Sequence, residues 1–361
     1  MRLDALTGLR WWAAFGVFMF HMRFIPLPGL GSIARLGDYG VMFFFVLSGF
    51  VLTLSATPGT KASTFYWRRF SRIWPANFVA LLLAIPVFYS FSPDPAHWWV
   101  KAVSIPILLL SIPIIQGWWR DPTILFSGNP ASWTLSCEFF FYALHPAING
   151  ALRKANLRVL LGVGIGVFAL GLAYNAFSLT QAGAWTAQVP LPVARLNEFV
   201  LGMIIAAAVR LGYLTKIPSW VAFVTFGIFT ISLAAITGYK TEHPVAHLLA
   251  DYSPTIMVLL FSFMIGVVAS KNARGKKSVL QWRPLVILGE WSFAFYLVHG
   301  TCIYFVRDFI GPRSASWTNL GWYAIIFVFA LSVAGALHLW VERPIEKRLR
   351  SWWDARRAVT A

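Results

Sequence analysis

Arg10 and His21 stand eleven residues apart in LTGLRWWAAFGVFMFHM (residues 6–22), a stretch otherwise apolar and aromatic enough to lie in lipid. Eleven steps of about 100° bring a helix back to within about 20° of its starting direction, so the two side chains share a face, about 16 Å apart along the axis. Burying such groups in hydrocarbon costs free energy, and they normally face a polar cavity that marks a functional site. The structural alternative is a snorkelling arginine at one membrane surface and a histidine bonded to a neighbouring helix. An imidazole with a reference pKa of about 6.5 suits general-base chemistry on a hydroxyl, and a guanidinium suits an anionic group or developing negative charge.

Four further stretches carry candidate chemistry. FYWRRFSRIWP (65–75) sets Arg69 and Arg72 three apart on one helical face with Arg68 beside them and Pro75 opening the following span. Guanidinium groups among aromatics suit phosphate and stacking on a nucleotide base, and the plain alternative is a charge cluster that only sets topology. FFFVLSGFVLTL (43–54) places Ser48 and Gly49 among aromatics, a small pair that permits close backbone approach or a helix break. SWTLSCEFFFYALHP (132–146) buries Glu138 with Tyr142 and His145 four and seven residues on, on the same face. An intramembrane glutamate wants an arginine or histidine partner. LGEWSFAFYLVHG (288–300) adds Glu290 and His299, nine residues apart and therefore on opposite sides of their helix, so that at most one lines a given cavity.

The elements that position these groups follow from composition. With 58% hydrophobic, 17% aromatic and only 12% charged residues, the 361-residue chain is a polytopic membrane protein rather than a soluble domain. Apolar runs of 17–25 residues match helical crossings, and the alternation of a membrane barrel is missing, so the fold class is all-α. The spans read as about 8–25, 40–57, 75–91, 134–152, 159–177, 196–213, 219–237, 252–270, 285–306 and 318–341. The net charge of +17 does not form one soluble patch, which argues against nucleic acid as a partner; it falls between the hydrophobic runs in the positive-inside pattern.

KAVSIPILLLSIPIIQGWW (101–119), broken by Pro106 and Pro113, is expected to be re-entrant or interfacial rather than an eleventh crossing. That choice keeps 22 of the 30 Lys and Arg on the cytoplasmic side, with both termini there. No cleavable signal peptide is evident in the first run. Cys137 and Cys302, both inside expected helices, suggest neither a disulfide framework nor a metal site. The chain reads as one transmembrane domain, 1–341, and a basic tail, 342–361. In that tail ERPIEKRLRSWWDARRAV mixes cations with Trp352 and Trp353, as an amphipathic helix on the anionic inner leaflet of the cell membrane would.

Taken jointly, these stretches resemble the integral-membrane acyltransferase-3 family, which O-acylates sugars and other hydroxyl acceptors. The resemblance rests on Arg10 and His21 with ten residues between them, FFFVLSGF, RRFSRIWP, WTLSCEFFFYALHP, LGEWSFAFYLVH and the terminal VERP, which together cover residues 6–344. The opening LTGLRWWAA looks more like actinobacterial members, including macrolide O-acyltransferases. The chain departs from the pattern at Phe139, where many members carry a second acidic residue. A fused hydrolase-like domain is not expected after the last span, and neither is an acceptor that needs one.

The resemblance implies an acyl-CoA donor, with acetyl-CoA the simplest, and no metal. On that reading Arg68, Arg69 and Arg72 with Ser48 bind the donor, His21 is the general base, and Arg10 and Glu138 complete the catalytic set. Tyr142, His145, Glu290 and His299 are substrate-pocket candidates. Direct transfer to the hydroxyl of a sugar, glycolipid or macrolide is favoured over an acyl-enzyme, because no serine stands in a nucleophile-elbow context. A proton-coupled transporter is the alternative. Intramembrane Arg, His and Glu also build relays, and a Pro-broken half-helix is a transporter feature, but no internal two-fold repeat is visible.

Overall fold

A computed structural model describes residues 3–239 and 244–359, and these are almost entirely helical. Ten long helices correspond to the ten expected spans: α1 (Asp4–His21), α2 (Gly40–Ser55), α3 (Ala62–Phe88), α4 (Trp133–Leu152), α5 (Leu157–Ser178), α6 (Leu196–Arg210), α7 (Ser219–Tyr239), α8 (Pro244–Ala273), α9 (Arg283–Ile310) and α10 (Leu320–Ala336). Among the described residues, eight helical stretches are long and apolar enough to cross a membrane by composition alone. The two long helices outside that set are α1 and α4, which carry Arg10, His21, Glu138 and His145.

Contacts between helix ends sort them onto two faces. On one, Ala5 N–H donates to Asn272 Oδ1, Trp67 Nε1 to the Leu349 carbonyl, Arg153 to the Ala56 carbonyl and Arg210 to Asn149 Oδ1. The basic clusters at 153–158, 271–283 and 343–357 therefore gather together. On the other, Asn319 Nδ2 donates to the Pro26 carbonyl, Tyr323 to the Met22 carbonyl and Asn175 to the Asp251 carbonyl. The end of α1 with His21 lies on this second face.

The segment between α3 and α4 does not cross. It breaks into a six-residue helix, Ile105–Leu110, and shorter turns. Its tip reaches the Ile112 carbonyl to Trp74 Nε1 and Gly117 N–H to Ser136 Oγ, well inside the bundle, then returns. Ile114 turns the chain there with φ of 60°, an uncommon conformation for a β-branched residue. The segment is re-entrant.

One expectation is corrected. Pro75 does not open a span; it lies inside α3, which begins thirteen residues earlier at Ala62. A membrane helix tolerates an interior proline where neighbouring groups re-satisfy the freed carbonyl. As a result Arg68, Arg69 and Arg72 sit on the spanning helix itself, and Arg69 and Arg72 reach its interior face.

Close helix pairs are built on glycine. Gly49 of α2 lies against the Phe199 carbonyl of α6, while Gly202 of α6 lies against the Val46 carbonyl of α2. Gly289 of α9 likewise sits on the Thr7 carbonyl of α1. Backbones that approach this closely leave no room for a Cβ, which is how membrane helices gain packing without a hydrophobic drive between them. Aromatics fill the rest: Phe141 lies 5.2 Å from Phe45 and 4.9 Å from Phe199, ring centre to ring centre, and Trp11 lies 5.2 Å from Phe295. Gly49→Val should push α2 from α6 and cost at least about 1–3 kcal/mol, the usual range for overpacking. Thermal unfolding in detergent checks this, with Gly227→Val, where nothing lies within 4 Å, as the tolerated control.

Candidate active site

Five helices wall a cavity of about 350 Å³. α1 contributes Arg10, α2 Ser48, α3 Arg69 and Arg72, α4 Thr134, Glu138 and Tyr142, and α9 Ser292 and Tyr296. Tyr142 donates a 2.6 Å hydrogen bond to Glu138 Oε2, and Ser48 shares the same cavity wall. The Tyr296 and Thr134 hydroxyls both donate to the Ala131 carbonyl, at 3.5 and 2.9 Å. The three guanidinium groups and the Glu138 carboxylate lie within electrostatic reach of one another. Glu138 thus faces arginines rather than His21.

The basic face closes the arrangement. After α10 the helix slips into a π-turn over Leu337–Glu342 and continues as α11 (Arg343–Val359). Such turns re-aim side chains and occur often at functional sites. Here the slip drives Glu342 inward to 1% exposure, where it meets Arg72 at 3.8 Å and His338 Nδ1 at 2.9 Å. Glu346, one turn on, lies 3.5 Å from Arg72 and also pairs with Arg350. α11 is bound along α3: Trp353 stacks on Trp67 at 5.1 Å, and Arg357 meets Thr64. Arg69 differs from Arg72. Its Nε is buried without a partner, and among the described residues no carboxylate pairs with it or with Arg10.

Of the residues expected from sequence, Arg10, Ser48, Arg69, Arg72, Glu138 and Tyr142 converge on this cavity. Arg68 does not line it; it is exposed and pairs with Asp354 at 3.8 Å. His145 points away, stacked on Phe65 at 4.9 Å and bonded to Thr53. Glu290 is half-buried on α9 and does not line the cavity.

His21 lies outside the lining as well, at the far end of α1 and uncovered by the bundle. A row of rings connects it to the cavity, with Tyr296 and His299 at 5.6 Å and His299 and His21 at 5.1 Å. His299 Nδ1 is 2.6 Å from the Tyr296 carbonyl, which can only accept, so Nδ1 carries the proton. Its Nε2 is then a lone-pair nitrogen, buried and without a partner.

Sequence reading missed Ser292, Tyr296, Glu342 and Glu346. The first two stand at i−7 and i−3 from His299, so helical spacing alone would have placed them on its face. Glu342 and Glu346 left only a weak signal, two acids within a basic tail. Among the described residues no group of His, Cys, Asp and Glu is placed to hold a metal ion, and Cys137 and Cys302 are buried and unbonded.

These features define a multi-pass membrane protein with a charged, multi-helix cavity among its spans. The profile of the acyltransferase-3 family, described as an acyltransferase domain, matches residues 3–339, and the chain belongs to that family. It is 33% identical over 378 residues to Acyltransferase MdmB of Streptomyces mycarofaciens, covering 97% of this chain and 93% of that protein. It is 24% identical to O-acetyltransferase OatA of Staphylococcus aureus, over 96% of this chain and 57% of that protein. Identity is also 24% to Peptidoglycan O-acetyltransferase OatA of Listeria monocytogenes, over 96% of this chain and 56% of that one. The chain therefore spans little more than half the length of either OatA. No solved structure matches it.

Removing one partner of a buried ion pair leaves a costly lone charge. Glu342→Gln strips both Arg72 and His338 of their inner carboxylate and should destabilise the protein by up to about 3 kcal/mol. Glu346→Gln, at a more open position, should cost under about 1 kcal/mol. The two melting temperatures in one detergent decide the ranking.

Proposed function

We propose that this protein is a membrane O-acyltransferase that moves an acyl group, most simply acetyl, from acyl-CoA to a hydroxyl of a sugar, glycolipid or macrolide-type acceptor. The observation that carries the reading is the convergence of Arg10, Arg69 and Arg72 with the Glu138–Tyr142 pair on one cavity, in a chain of an acyltransferase family. The same membership favours acyl transfer over transport.

The clustering of Lys and Arg on one face supports a cytoplasmic assignment for that face and for both termini. CoA is anionic and cytoplasmic, so it approaches where Arg69 has unspent donor capacity. Arg72 is already shared by Glu342 and Glu346, which suits it to holding the wall and adding field. A 350 Å³ cavity suits part of the pantetheine arm, leaving the nucleotide at the surface near Arg68 and the acyl end to continue along the row of rings toward His21.

In the chemical step the acceptor oxygen attacks the thioester carbonyl as His21 takes its proton. The C–O bond forms, the C–S bond breaks, and the thiolate recovers a proton to leave as free CoA. His299, with its Nε2 lone pair beside His21, relays that proton. Arg10 holds the donor, and Glu138 bonded to Tyr142 keeps the arginines from facing hydrocarbon alone. Ser48 lies on the same wall as Tyr142 and leaves room for the donor there.

Purified protein with labelled acetyl-CoA and a hydroxyl-rich acceptor should release thiol and yield an ester. His21→Ala should lower kcat at least a hundredfold, in line with loss of a general base, while acyl-CoA binding persists. His299→Ala should lower kcat with donor KM unchanged. Arg69→Ala should raise donor KM about tenfold and alter kcat at saturating donor much less. Normal turnover by His21→Ala would remove the base assignment.

A further inference from the structure

On the face opposite the basic clusters lies a second and larger cavity, about 820 Å³, that the chemistry described so far does not use. Segments distant in sequence wall it: 35–42, Arg120, 171–180, 184–187, 191–198, 233–237 and 250–258. Most of its polar groups are already engaged. Arg120 donates to the Ala187 carbonyl at 2.9 Å and to Tyr174, and Tyr174 donates to the Thr186 carbonyl. Tyr39 and Ser253 hydroxyls are 2.6 Å apart, and Arg195 Nη1 donates to Glu198 Oε1 at 2.8 Å.

Two atoms stand out because they have no partner, Asn197 Oδ1 and Glu198 Oε2. Both are hydrogen-bond acceptors and both are buried. Glu198 is only 3% exposed, so an unsatisfied oxygen there is costly and calls for a donor from outside the protein.

Charge narrows what that donor belongs to. Arg35, Arg120 and Arg195 share the walls with Asp38 and Glu198, so neither a strong anion nor a strong cation finds a one-signed site. Arg120 and Arg195 already hold protein acceptors, and Arg35 stands on the wall with them. Apolar side chains such as Met42, Leu191, Leu233 and Val258 complete the lining and suit a carbon skeleton.

The cavity also stands in the right relation to the cavity of Arg10. Tyr39 and Met42 of its wall stand two residues before and one after Val41, while Phe44 follows one turn on; Val41 and Phe44 line the other cavity. The first turns of α2 therefore divide the two. Gly37, just before them, lies on the Gly16 carbonyl of α1, one turn short of His21.

We propose that this second cavity is the acceptor site and that it takes a neutral, hydroxyl-rich molecule whose O–H or N–H groups donate to Asn197 Oδ1 and Glu198 Oε2. The assignment deepens the acyl-transfer reading and rests on it for the word acceptor. Donor and acceptor then approach from opposite membrane faces, and α2 keeps them apart until the hydroxyl reaches His21.

Binding is measured without donor, by equilibrium dialysis of the full-length protein in detergent against tritiated N,N′-diacetylchitobiose and, separately, a tritiated neutral macrolide lactone. At least one probe should bind. Asn197→Ala should weaken it about tenfold, the loss of one hydrogen bond to a buried group. Ala194→Trp, which fills the cavity without removing a hydrogen bond, should abolish binding, and acyl-CoA affinity should be unchanged in both variants. That donor affinity also reports whether the variants fold. No binding of either probe by the parent protein, or equal affinity in all three proteins, overturns the proposal. Transfer from labelled acetyl-CoA to the bound probe is followed in parallel. If binding tracks the variants but no ester forms, the polyol site stands and the acyl-transfer reading falls; if ester forms but binding ignores the variants, the reverse holds.

Discussion

A charge inside a bilayer must find its opposite or a polar cavity, and here that requirement decides which helices meet. Arg10 arrives on α1, Arg69 and Arg72 on α3, Glu138 on α4, and Glu342 and Glu346 on the π-turn and α11. Each group is tolerable only because the others are near. The tail is therefore part of the bundle's electrostatics and not simply an amphipathic helix on a lipid surface: its carboxylates hold Arg72 and its tryptophans stack on Trp67 at the mouth of α3. The resulting cavity keeps a small excess of donor capacity, concentrated at Arg69.

Such a cluster works only if the helices cannot drift. The glycine contacts between α2 and α6 and between α1 and α9 supply that rigidity, since each places a backbone carbonyl where a side chain would otherwise stand. They position Ser48, one residue before Gly49, on the cavity wall with Tyr142. They also hold α9 along α1, so that Tyr296 in the cavity leads through His299 to His21. The re-entrant segment packs beside α4 and contributes a second layer behind Glu138, with Trp118 against Phe140 at 5.2 Å.

The two cavities differ in the way two substrates of unlike chemistry require. The smaller is rich in guanidinium and belongs to helices that reach the basic face. The larger mixes signs and is walled by helix ends and connections on the other face. On the proposed assignment, acyl transfer between them would need no large cargo to cross the membrane, since only the acyl end of one molecule and one hydroxyl of the other would have to meet near the end of α1.

Local sequence determined the spans, because hydropathy and the positions of Lys and Arg are properties of contiguous residues, and these also ruled out a crossing at 101–119. Helical periodicity was enough to nominate Arg10, Arg69, Arg72, Glu138 and Tyr142, since each interrupts an apolar face. Only the tertiary structure decided that Arg68 turns outward to Asp354, that His145 serves Thr53 and Phe65, and that a slipped helical turn aims Glu342 at Arg72. It alone assembled the larger cavity, whose Asp38, Arg120, Tyr174 and Glu198 come from segments far apart in sequence. The physical reason is range: a helix advertises its own buried face through a 3.6-residue period, whereas a partner on another helix, or a cavity between loops, leaves no period in either strand of sequence that builds it.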